Sequence, residues 1–150
     1  TMVDPTTHEP FVANAVLRIG TNKSIPTDNM SRGGLSAFID LKTGVLGKAA
    51  MFPQHSNQKD RVVWHDKHPD TGKQISGLQI PNWQGSLKAI LKAASRIPYI
   101  PYVGWDVCIF EKKVVVLEGN SRPGPTLFQM HGPLLKNERV RRFYKYYNAI

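Results

Sequence analysis

Two acidic residues stand inside stretches that otherwise read as apolar strands: Asp106 in Gly104-Trp105-Asp106-Val107, and Glu118 in Leu117-Glu118-Gly119-Asn120. Between them Glu111-Lys112-Lys113 has the length and polarity of a hairpin turn. Counting outward from that turn brings Asp106 and Glu118 near each other across two antiparallel strands, with both side chains able to share a face. Like charges so placed repel unless a cation neutralises them, and an unpaired charge inside an apolar strand is costly. Two carboxylates and the Asn120 carbonyl make a hard oxygen set suited to Mg²⁺, which takes few protein ligands and completes its shell with phosphate and water. The competing reading makes Asp106 the cap of a bend and Glu118 a solvated strand end. Spacing alone balances the two.

Other polar residues offer further chemistry. Arg122, in the loop Asn120-Ser121-Arg122-Pro123-Gly124, places a guanidinium just beyond the acids, where it can make bidentate contacts to phosphate or carboxylate. Arg18 interrupts an apolar strand, so its charge lies at a sheet edge or in an anion site. Asp28 and Asn29 suit a substrate or phosphate contact and a plain Asx turn equally well. His65, Asp66, His68 and Asp70 lack the regular spacing and cysteine partner of a zinc site, so His68-Pro69-Asp70-Thr71-Gly72 reads better as a shaped turn, with a role in a substrate loop left open. Neither Ser36 nor Ser121 has the His and Asp arrangement of a nucleophilic serine. Of the three tryptophans, read as core or rim residues, Trp105 is the one expected to shield the paired acids.

The elements that must position these residues follow from periodicity. Residues 14–21 alternate as a strand, 22–30 are a loop, and 34–41 and 45–51 form a hairpin around Lys42-Thr43-Gly44. Residues 53–83 are irregular, with short strands expected near 62–64 and 73–78. Leu87, Ile90, Leu91, Ala94 and Ile97 give a helix over 85–97, which Pro98 ends. Strands over 102–110 and 114–118 follow, then a loop and a basic amphipathic helix reaching Tyr147. The sum is an α+β fold, mostly antiparallel sheet with flanking helices, read as one domain over residues 1–150 with no linker.

Lys and Arg number 20 against 11 Asp and Glu in 150 residues, so a net charge of +9 attracts polyanions. Arg139, Arg141 and Arg142, interleaved with aromatics, invite a single-stranded nucleic acid. Val140, Phe143, Tyr144 and Tyr147, however, recur at helical spacing as one apolar face, which favours a docking helix, and nucleic acid is not the expected partner. No apolar run approaches the roughly 18 residues of a membrane span, and no secretory leader is visible. The lone Cys108 reads as a small buried hydrophobe in a reducing, cytoplasmic setting.

The tracts Asn14-Ala15-Val16-Leu17-Arg18-Ile19, Asp28-Asn29 with Gly33-Gly34, Ile39-Asp40 with Thr43-Gly44, His68-Pro69-Asp70-Thr71-Gly72, Ile80-Pro81-Asn82-Trp83, Gly104-Trp105-Asp106-Val107 and Glu118-Gly119-Asn120 occur in order. Together they resemble the C-terminal half of the ATP-grasp superfamily, and most closely the sugar-transfer-associated ATP-grasp proteins. The resemblance implies an ATP-dependent ligase that activates a carboxylate as an acyl phosphate for attack by an amine or other nucleophile. It implies Asp106, Glu118 and Asn120 as Mg²⁺ ligands, with Glu118 bridging two ions, and Leu117 as an apolar contact to the nucleotide, although a core residue explains Leu117 equally well. It implies Arg18 on the γ-phosphate and acyl phosphate, Arg122 orienting the acceptor, and Asp28 and Asn29 near phosphate.

Two departures accompany it. The family's phosphate-gripping lysine loop and adenine hinge are not found, and no Walker-type loop replaces them. The chain is therefore expected to begin in mid-domain and to need an N-terminal half or a second copy to act as a ligase. Arg32 stands where the related pattern carries a neutral polar residue, which leaves the acceptor open. An inactive relative, or a basic module for nucleic acid or an anionic glycan, are the alternatives.

Overall fold

The computed structural model describes residues 1–55 and 61–150, which form two units, residues 15–80 and a discontinuous unit of residues 1–14 and 81–150. The discontinuous unit opens with β1 (Met2–Val3) paired antiparallel to β2 (Pro10–Phe11). Asp4 turns the chain between them by accepting the Thr6 and Thr7 amides at 3.0 and 3.4 Å.

In the 15–80 unit, β3 (Val16–Ile19), β4 (Leu35–Ile39), β5 (Leu46–Met51) and β6 (Val63–His65) build one antiparallel sheet in sequential order. Leu35, Ala37 and Ala49 are buried on one face, and Ser36 with Ala50 on the other. The β4–β5 turn forms where Asp40 accepts the Lys42 and Thr43 amides and Gly44 takes a left-handed φ of 78°. The strand expected near 73–78 does not form. Gly77 at φ 83° breaks the extended run, and the Ile75 and Ser76 amides both donate to the Asp66 carbonyl, leaving only single bridges at Gln74 and Gln79. Within the irregular stretch over 53–83, residues 53–55 form a 3-10 turn and residues 56–60 lie outside the described residues.

Back in the first unit, α1 (Trp83–Ser95) starts two residues earlier than its periodicity predicts. Its first intrahelical bond runs from the Ser86 amide to the Asn82 carbonyl, and Trp83, Ser86, Ile90 and Ala94 are buried, so the apolar face is turned toward Trp83 while Leu87 and Leu91 are half-buried. β7 (Gly104–Ile109) and β8 (Val114–Asn120) form the predicted hairpin, followed by α2 (Thr126–Gln129) and α3 (Glu138–Tyr146). The architecture is α+β with antiparallel sheets, as expected. Cys108 is half-buried rather than buried, because the two-stranded β7–β8 sheet covers it incompletely. Among the described residues, no helix is long and apolar enough to cross a membrane.

The C-terminal helix docks as its face predicts. Asn137 caps it by accepting the Arg139 and Val140 amides, and Val140 and Phe143 join Met2, Phe11 and Leu134 in one buried cluster. Tyr147, placed on that face by periodicity, is exposed because the helix ends at Tyr146. The arginines interleaved with these aromatics have partners inside the unit. Arg139 Nε and Arg142 Nη2 lie 3.0 and 3.2 Å from Asp4 Oδ2, Arg139 stacks over the Phe11 ring, and Arg141 Nε donates to the Leu135 carbonyl at 2.9 Å.

The Asp4 side chain is 2% exposed. The Thr6 amide first, and then Arg139 and Arg142, hold its carboxyl well below the ordinary value of 3.8, against the opposing effect of burial. A group depressed on folding contributes stability that is complete above its unfolded pKa and is lost as pH falls toward the folded one. Acidification from about pH 5 to pH 2 should therefore lower the thermal midpoint of the native chain more steeply than that of Asp4→Asn. At neutral pH the same substitution, which leaves two guanidinium groups facing an amide, should lower the midpoint by roughly 5 °C or more, measured by differential scanning calorimetry.

Candidate functional site

The β7–β8 hairpin sets Asp106 directly opposite Glu118, Trp105 opposite Gly119 and Gly104 opposite Asn120. Directly opposed residues share a face, and so do residues two apart, so Asp106, Glu118 and Asn120 lie on one side of the ribbon. The Asn120 amide donates to Glu118 Oε1 at 3.1 Å, which orients that carboxylate and leaves the Asn120 carbonyl oxygen as a further donor atom for a cation. Asp106 is half-buried, whereas Glu118 and Asn120 are exposed. The desolvation argument for a bound cation therefore fails for Glu118, because β8 has one strand neighbour and faces solvent along most of its length. The direct opposition of two negative charges remains.

The register shifts immediately beyond this pair, where Val107 faces Val116. Leu117 is the extra residue of the resulting bulge and is 65% exposed, so the core reading of Leu117 is set aside. Trp105 alternates with Asp106 and lies on the other side of the hairpin, where its ring packs over Gly119 and its Nε1 donates to Thr1 Oγ1 at 2.9 Å. It does not shield the acids. Gly104, opposite Asn120, has no room for a side chain because Pro123 folds back against it, and this holds the loop carrying the exposed Arg122 close to the end of β7.

The 15–80 unit carries the other candidates. Arg18 lies on the edge strand β3, opposite buried Ser36, and its Nη2 sits 2.6 Å from Asp28 Oδ1 with both side chains partly exposed. The sheet-edge reading of Arg18 holds, and its charge is paired with Asp28. Asn29 accepts the Ser31 amide at 3.2 Å and caps the 3-10 turn over Met30–Arg32, the Asx geometry anticipated for it. Gly34 is obligatory, because a Cβ there would run into the Asp28 carbonyl.

Sequence reasoning missed Ser24 and Thr21, which are buried and hold this loop through their hydroxyls. The three-residue spacing of Thr21, Ser24 and Thr27 was the available signal. The histidine and aspartate set of 65–70 is spent on other contacts. Asp66 takes Lys48 Nζ at 2.9 Å and Ser76 Oγ at 2.8 Å, while His65 Nε2 is buried without a hydrogen-bond partner and its pKa is lowered by burial and by His68. Among the described residues, no three His, Cys, Asp or Glu side chains are grouped to hold a metal. Two carboxylates and an amide on the hairpin are a different donor set.

The family model described as sugar-transfer associated ATP-grasp matches residues 3–143, nearly the whole chain. No curated protein and no solved structure matches it.

If Asp106 and Glu118 repel in the ligand-free chain, removing one charge relieves the strain. Glu118→Gln keeps an acceptor for Asn120 and should raise the thermal midpoint in metal-free buffer by roughly 1–3 °C, an increment that added salt diminishes.

Proposed function

The chain belongs to the sugar-transfer associated ATP-grasp family, and from that premise we propose that it binds Mg-ATP through the β7–β8 hairpin as part of an ATP-dependent carboxylate ligase. ATP-dependent, ligase-like chemistry is what the family carries. The opposition of Asp106 and Glu118, with Asn120 on the same face, is the observation that supports a metal-bound nucleotide here. The donor set fits Mg²⁺, being all hard oxygen, few in number and open to solvent on β8, so that phosphate oxygens and water can complete the shell. When bound, the ion neutralises charge on the β- and γ-phosphates.

The protein's own residues then have separate tasks. Glu118, oriented by the Asn120 amide, and Asp106 would hold the ion, with the Asn120 carbonyl oxygen beside them. Leu117, raised by the bulge, offers an apolar surface to the nucleotide. Within the 15–80 unit, Arg18 would exchange its Asp28 partner for a phosphate or carboxylate oxygen, with Asn29 next to Asp28 in the same loop. Arg122 orients the carboxylate of the acceptor. A carboxylate oxygen attacks the γ-phosphorus, the bond to the departing ADP breaks, and an acyl phosphate forms. A nucleophile, an amine for instance, then attacks the acyl carbon, loses its proton and releases inorganic phosphate. A cytoplasmic setting and a substrate from sugar-transfer metabolism complete the reading.

Titrating Mg-ADP and Mg-ATP into the full chain by calorimetry tests it. Binding should require magnesium, vanish with EDTA and weaken at least about tenfold in Glu118→Gln. Binding that survives both EDTA and the substitution would contradict the reading, and so would a steep salt dependence governed by Arg141 in place of magnesium.

A further inference from the structure

The turn His68-Pro69-Asp70-Thr71-Gly72 has no task in this scheme, yet its His68 and Asp70 side chains each reach back across 48 residues to the segment that follows Arg18. His68 Nε2 lies 2.8 Å from the Gly20 carbonyl oxygen, and Asp70 Oδ2 accepts the Asn22 amide at 2.8 Å. The turn itself is closed. The Gly72 amide donates to the His68 carbonyl at 2.9 Å with Gly72 at φ 69°, and the His68 amide donates to the Lys73 carbonyl at 2.8 Å. The Asp70 amide donates to His68 Nδ1 at 3.2 Å, which assigns the ring proton to Nε2, where it donates to Gly20.

The segment so held is a loop over residues 20–34 with an interior made of hydroxyls. Ser24 Oγ accepts the Thr21 amide at 2.8 Å and donates to the Thr27 carbonyl at 2.7 Å, and Thr21 Oγ1 donates to the Gly33 carbonyl at 2.7 Å. These bonds fix the shape of the loop. They do not fix its position against the sheet, and that position decides whether Asp28 meets Arg18. Two external braces do so. Lys23 Nζ donates to the His55 carbonyl while His55 Nε2 bonds the Ser31 carbonyl, each at 2.7 Å, and His68 with Asp70 hold the root. The root brace, with side chains 14% and 25% accessible, attaches two and four residues beyond Arg18. A charge-assisted bond from an amide to a carboxylate is among the stronger ways to pin a backbone that otherwise gains entropy by moving.

We propose that His68 and Asp70 are positioning residues for an anion site at Arg18, pinning the root of the 20–34 loop so that the guanidinium is held ready for a polyphosphate or carboxylate that displaces Asp28. The proposal rests on the role given to Arg18 above.

Inorganic tripolyphosphate is the probe, titrated by calorimetry into the full chain and into His68→Ala, His68→Gln, Asp70→Ala, Asp70→Asn and Arg18→Ala, with amide exchange followed over residues 20–28. Both alanine variants should speed exchange at Asn22 and weaken tripolyphosphate about tenfold. Glutamine, which keeps a donor for Gly20, and asparagine, which keeps an acceptor for Asn22, should each restore affinity to within about twofold of the native chain. A merely structural turn would not show that rescue pattern at the anion site. If Arg18→Ala abolishes binding while the alanine variants bind as the native chain does, the positioning role is overturned and the Arg18 site stands. The positioning role is overturned in the same way if glutamine and asparagine rescue nothing. If the native chain does not bind the probe, or Arg18→Ala binds equally well, the Arg18 site itself falls and the positioning role with it.

Discussion

The register of the β7–β8 ribbon is the constraint on which the proposed chemistry depends. Side chains alternate with a period of two, so a slip by one residue would send Glu118 to the opposite side from Asp106. The turn prevents the slip. The Phe110 amide donates to the Lys113 carbonyl at 2.9 Å, which shortens the connection to Glu111 and Lys112, and the Lys113 ammonium lies 5.1 Å from the centre of the Phe110 ring. Beyond the turn, the bulge at Leu117 absorbs one residue and restores the facing of the two acids. Gly119 under Trp105 and Gly104 under Pro123 let neighbouring groups close over the ribbon without moving it.

Charge is used in two opposite ways in this chain. At Asp4 a buried carboxylate collects two arginines and two backbone amides and ties the N-terminal strand pair to the C-terminal helix. Part of the +9 charge is thereby structural. On the hairpin two carboxylates face each other with an amide beside them, an arrangement of like charges that the proposed cation would neutralise. The Arg18–Asp28 pair lies between these extremes, neither buried nor solvated, and suits an exchangeable contact.

What was legible in the sequence was what short-range geometry determines. Counting from a three-residue turn brought Asp106 and Glu118 together in the sequence, whereas the chain turns on two residues and recovers the pairing through the Leu117 bulge, which periodicity does not show; helical spacing was enough to choose Val140 and Phe143 as the docking face. The Asx geometry at Asn29 was likewise written in local residue types. Asp4 was not legible, because its arginines stand 135 and 138 residues away and nothing local marks it. The exposure of β8 was hidden for a related reason. An apolar strand is buried only if another layer covers it, and periodicity does not reveal the layer. The strand expected near 73–78 failed because Gly77 and the Asp66 carbonyl offered the backbone a turn instead. His68 and Asp70 were recognisable as a shaped turn, but their contacts with Gly20 and Asn22 depend on tertiary approach.

The most direct test of a metal-nucleotide site on the hairpin is paramagnetic NMR. Mn²⁺ would be added with ADP to the isotopically labelled chain, and the amide signals that broaden would be mapped. Selective broadening of residues 104–106 and 118–122, absent in Glu118→Gln, is the expected result. Broadening centred on His65 and His68, or none that depends on Glu118, would contradict it.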